Sequence, residues 1–150
     1  MKLQFTSAGL LIEGIHSSTW DEFIELFGWN SHRRRLIQGL AEAVELLAKA
    51  GCQRILICGS FVTDKDYPGD IDVLYDLTGM DEDKLDPVFF EFARGRAEQK
   101  ARFGCEFFPS NMIERSSGKP FLEFFQTDRN DVPQGIIEIT ITERGTEPGD

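Results

Sequence analysis

Positive charge is in short supply: 16 Lys and Arg stand against 26 Asp and Glu in 150 residues, a formal net charge of −10. A surface of that sign repels phosphate backbones and anionic lipid at long range, so neither DNA-groove binding nor membrane attachment is expected. Cysteine is scarce too. Cys52, Cys58 and Cys105 leave one thiol over in any disulfide scheme, and no C-x-x-C pair offers zinc ligands, so the expected setting is reducing and cytoplasmic. His16 and His32 are the only histidines, and neither neighbours a Ser or Cys nucleophile pattern, which leaves a hydrolase triad without a starting point. No Walker phosphate loop occurs. No apolar run approaches the roughly 18 residues of a membrane span, and the segment Met1 to Ser18, with its single lysine, is not expected to be a signal peptide.

What the chain does contain, 41% apolar and 28% charged residues, suits one globular domain over 1–150. Residues 1–15 read as a partly extended lead-in and 143–150 as a polar, frayed tail. Thr19-Trp-Asp-Glu22 matches a capping box and opens a short helix that ends at Gly28. Asn30 or Ser31 caps a longer helix in which Leu36, Leu40, Val44 and Leu47 recur at helical spacing until Gly51. Arg33, Arg34 and Arg35 in its first turn read as a solvated face. Arg54 to Cys58 and Asp70 to Tyr75 read as strands. Asp86-Pro87 should start a helix reaching about Phe103, whose Arg94, Arg96, Lys100 and Arg102 read as charges kept in water. Cys105 to Phe108 and Ile136 to Ile141 give two more strands, with a turn or short helix at Phe121 to Gln126. Nine of the 13 phenylalanines fall between Phe89 and Phe125 and read as packing. The expected fold is therefore α/β or α+β: a small mixed β-sheet with helices packed mainly on one face.

The most informative stretch is Gly59-Ser60, nine intervening residues, then Asp70-Ile-Asp72. Alternate strand residues share a face, so the Asp70 and Asp72 carboxylates project together from backbone positions about 7 Å apart. They suit two magnesium ions, with manganese as the other candidate, spaced about 3.5–4 Å apart to clamp the attacking and leaving oxygens of a phosphoryl transfer. Gly59 and Ser60 follow an apolar strand, where a residue without a Cβ and a hydroxyl can meet phosphate closely. Lys65, in the intervening loop, is a candidate to neutralise a polyphosphate. Asp76 reads as the start of an acidic loop rather than a ligand.

Apolar strand, Gly-Ser, spacer and Asp-x-Asp together resemble the DNA polymerase beta-like nucleotidyltransferase superfamily. That resemblance implies a third carboxylate on a neighbouring strand, for which Glu106 in Gly104-Cys-Glu-Phe-Phe-Pro109 is preferred over Glu138, because it lies one helix after Asp72. Over nearly the whole chain, Gly14-Ile-His-Ser-Ser-Thr-Trp-Asp-Glu-Phe23, Phe27-Gly28, His32-Arg-Arg-Arg35, Gly51-Cys52, Gly59-Ser-Phe-Val-Thr63, Phe107-Phe-Pro109 and Phe125-Gln-Thr-Asp-Arg129 are similar to a small bacterial family of uncharacterised nucleotidyltransferase-like proteins. The implied activity is transfer of a nucleoside monophosphate from a nucleoside triphosphate to a protein or RNA acceptor, in a setting such as a toxin–antitoxin or defence pair. Two alternatives stay open: a binding partner, antitoxin or regulator, that keeps the fold without turnover, and a metal-dependent phosphodiesterase.

Overall fold

The computed structural model describes residues 4–141. A five-stranded mixed sheet runs in the order β1-β5-β2-β3-β4, with strands β1 (Ile15–Ser18), β2 (Arg54–Cys58), β3 (Ile71–Tyr75), β4 (Cys105–Pro109) and β5 (Ile136–Thr140). The β2–β3 and β2–β5 pairs are antiparallel, whereas β3–β4 and β1–β5 are parallel. Helices α1 (Trp20–Phe27), α2 (Ser31–Lys49) and α3 (Ala93–Phe103) cover one face, and the single turn α4 (Phe121–Phe124) lies on the other. No described helix is long and apolar enough to cross a membrane.

Local chemistry accounts for the helix starts. Thr19 Oγ1 accepts from the Glu22 amide and Glu22 Oε1 accepts from the Thr19 amide, both at 3.1 Å, so the capping box forms as read. Asn30 Oδ1 caps α2 by accepting from the Arg33 amide at 2.8 Å. Ile37, Leu40, Val44 and Leu47 then bury one side of α2 against the sheet. Each such aliphatic side chain contributes about 1.5–3 kcal/mol when fully buried.

The continuous apolar run of β2 is explained by burial on both faces. Ile55 and Ile57 join the large core under the helices, while Leu56 and Cys58 join a smaller one with Leu74, Phe108 and Ile136. The phenylalanine-rich half divides in the same way: Phe89, Phe103 and Phe107 pack on the helical side, and Phe108, Phe121 and Phe125 on the other. All three cysteines are buried free thiols.

Several expectations need correction. Ile15–Ser18 is a strand, hidden in the sequence because its only apolar residue is Ile15 and its pairing depends on distant β5. The expected helix from Asp86 is broken. A 3-10 turn spans Pro87–Phe90, and Arg94, Gly95 and Arg96 take left-handed φ values of 54°, 62° and 62°. Each non-glycine residue there costs on the order of 1 kcal/mol. Part of that cost is offset where the Arg96 guanidinium lies 4.0 Å from the Phe108 ring centroid and Nε donates to the Phe107 carbonyl at 2.9 Å.

Arg33 is not solvated either: it is fully buried. Its five N–H groups reach four carbonyls, those of Phe27, Phe61, Thr63 and Lys65, at 2.7–3.1 Å, and its plane lies between the Trp29 and Phe61 rings. The tail read at 143–150 lies outside the described residues.

Candidate functional site

The β3–β4 register sets Asp72 directly beside Glu106, and the β2–β3 register sets Cys58 beside Asp72. Asp70 lies one residue before β3, two positions from Asp72, so its carboxylate projects to the same side. One carboxylate oxygen from each of Asp70, Asp72 and Glu106 lies within 4.8 Å of the other two. A hard divalent cation prefers such an all-oxygen donor set.

The cluster is electrostatically costly. Burial, followed by the nearby Glu106, raises the Asp70 pKa to about 6. Burial, followed by Asp70 and then Glu106, raises that of Asp72 to about 7. A positive charge placed among these groups favours their ionised forms.

The turn after β2 completes one wall. Gly59 has φ +71°, and a Cβ there would collide with the Asp72 carboxylate, so glycine is required both by the backbone and by the space the acid occupies. Ser60 opens the cleft beside it, and its hydroxyl makes no hydrogen bond among the described residues. Arg33 pins the loop that follows through the Phe61, Thr63 and Lys65 carbonyls.

These groups line a cleft of about 740 Å³. The rest of its lining comes from the segment before β5, where Phe124 and Phe125 present aromatic surface and the cations Lys119 and Arg129 stand with the carboxylates of Asp128 and Asp131. Neither of these two cations has an ion-pair partner among the described residues.

Gly59, Ser60, Asp70, Asp72 and Glu106 are thus brought together. Lys65 is not: it is absent from the cleft wall, and its carbonyl serves Arg33. Glu138 stands two strands from Asp72 and pairs with Arg54 at 3.0 Å, and Asp76 also meets Arg54, at 3.4 Å.

Of the charges of α3, Arg94, Lys100 and Arg102 stay exposed as the solvated-face reading expects, whereas Arg96 is partly buried against aromatic rings. Two of the exposed groups also pair: Lys100 Nζ lies 2.8 Å from Glu106 Oε1 and 3.8 Å from Asp70 Oδ2, and Arg102 pairs with Asp86 at 3.1 Å. Arg96 stands in the left-handed break, so its four-residue spacing from Lys100 marks no shared helical face. Nothing local marked Lys100 as the charge that meets β4.

The chain belongs to DUF6932, a family of unknown function, whose model matches residues 3–140. No curated protein and no solved structure matches it.

Proposed function

We propose that the chain is a cytoplasmic, divalent-metal-dependent nucleotidyltransferase that moves a nucleoside monophosphate from a nucleoside triphosphate to a hydroxyl of a protein or RNA acceptor. The observation that carries this reading is the convergence of Asp70, Asp72 and Glu106 within 4.8 Å beside the Gly59-Ser60 turn, inside a nucleotide-sized cleft. The sequence resemblance to the DNA polymerase beta-like superfamily supports the same assignment.

In this reading Asp70 and Asp72 hold two magnesium or manganese ions, and Glu106 completes the ligand set on the acceptor side. Bound there, the ions would supply Lewis-acid charge to the reacting phosphate and lower the pKa of the acceptor hydroxyl. Ser60 donates its free hydroxyl to a phosphate oxygen, and Gly59 keeps the backbone close to it. Lys119 and Arg129 offset polyphosphate charge in place of Lys65, while Phe124 and Phe125 offer a stacking surface for the base.

The test is a magnesium titration with each of the four nucleoside triphosphates, followed by product analysis. Saturable binding and labelled transfer with release of pyrophosphate are expected, both lost in Asp70→Asn and Asp72→Asn proteins that still fold. Unchanged transfer in those variants, or no metal-dependent nucleotide binding at all, would reject the assignment. Release of a nucleoside monophosphate into water would point to a phosphodiesterase instead. A non-catalytic binding role draws on one specific observation, the Lys100 ammonium already seated against two of the three carboxylates. Nucleotide binding without turnover on any acceptor would favour it.

A further inference from the structure

Lys100 is carried by a helix that is fastened to the edge of the sheet. The Phe107 amide donates to Gln99 Oε1 at 2.8 Å, and the Phe107 carbonyl accepts from Arg96 Nε at 2.9 Å. Gln99 is fully buried, and its Nε2 donates to the Val88 carbonyl at 3.2 Å, so the clasp is held from behind. This grip sets the register of α3 against β4. Lys100 follows Gln99 and Glu106 precedes Phe107, so the ammonium falls on the carboxylate as a consequence of two backbone attachments one residue away.

We propose that Lys100 is a tethered cation of the acid cluster, holding Glu106 and Asp70 together when no metal is bound, and that a divalent ion must displace its ammonium to engage both carboxylates. Lys100 is then a positioning residue that sets the threshold for metal loading. The inference rests on the metal-site reading given above. Its chemistry is suited to exchange: the ammonium is one compact charge on a flexible stem, and 45% of the side chain is exposed. It can swing out without disturbing the Gln99 and Arg96 attachments.

Calorimetric titration of manganese into metal-free protein at fixed pH and ionic strength tests this, using wild type, Lys100→Met, Lys100→Arg and Arg102→Met. Arg102 lies on the same helix and pairs with Asp86, so its loss removes an equal charge without touching the cluster. The Lys100→Met protein should bind manganese about five-fold more tightly than wild type, the amount that a partly exposed ion pair commonly contributes. Arg102→Met should change affinity by less than about two-fold, because its charge is screened from the site. Lys100→Arg should stay near wild type. In chelator, Lys100→Met should melt at a lower temperature than wild type and gain more from added manganese.

Equal or weaker manganese binding by Lys100→Met, or tightening matched by Arg102→Met, overturns the proposal while leaving the metal site intact. Binding by Lys100→Met alone, with wild type silent, supports it in its strongest form. If neither protein binds manganese, the metal site itself is rejected, and the proposal with it.

Discussion

Asp72 and Glu106 are direct partners across the parallel β3–β4 pair. Their side chains therefore share a face by construction of the sheet, whereas Glu138 is held by Arg54 two strands away. Asp72→Asn and Glu106→Gln should each lower metal-dependent nucleotidyl transfer by about 100-fold or more, the scale of losing a group that fixes transition-state charge. Glu138→Gln should stay within about three-fold, since it lies outside the cluster. Initial rates of pyrophosphate release, with circular dichroism as the folding control, decide between the two acids.

The raised pKa values of Asp70 and Asp72 have a definite sign in stability. Between the ordinary aspartate value of 3.8 and their folded values of about 6 and 7, the folded protein binds more protons than the unfolded chain. Stability from this pair is therefore fully present below pH 4 and is lost as pH rises through 6 to 7. Urea midpoints should show that decline in chelator, a shallower one in Asp72→Asn, and its reduction when manganese is added.

Arg33 is the polar centre of the helical side, with all of its donors spent on backbone carbonyls. Arg33→Met should cost about 3–5 kcal/mol in urea unfolding, because carbonyls around a buried site lose a charged donor that nothing replaces. Arg33→Lys should recover little of it, since an ammonium cannot span the same four carbonyls. The loop from Phe61 to Lys65 should become accessible to hydrogen exchange in both variants.

Nucleotide affinity should depend on the cleft lining that comes from the segment before β5. The double variant Lys119→Ala and Arg129→Ala should weaken binding of a nucleoside triphosphate by about ten-fold, with little effect on the monophosphate, as expected for groups that offset polyphosphate charge at an exposed rim. Phe124→Ala should weaken both by a similar factor if its ring contacts the base. Fluorescence titration with labelled nucleotides reads the two patterns separately.

The sequence carried those parts of the fold that depend on neighbours in the chain. Thr19 and Glu22 cap their helix with each other, Asn30 caps the next, and β2 announces its two-sided burial by its unbroken apolar run. The Gly-Ser and Asp-x-Asp elements were legible for the same reason, each being a property of a few consecutive residues. Glu106 was reached through the resemblance, which implies a third carboxylate, and was set above Glu138 by its order relative to a helix. Lys100, Arg33 and the Phe124–Arg129 wall were not reached, because their roles arise from contacts between segments 6 to about 70 residues apart. Polar residues on helices carry no local mark that separates a solvated charge from one delivered to a strand edge. The three left-handed residues at Arg94–Arg96 were likewise concealed, since Gly95 alone gave a hint and helical charge spacing continued across it.

The clasp of Gln99 and Arg96 on Phe107 also closes one border of the sheet. A terminal strand whose outward amide and carbonyl are already taken cannot template another chain at that point. Lateral growth of the sheet by strand addition is thus blocked at the margin that bears the acids.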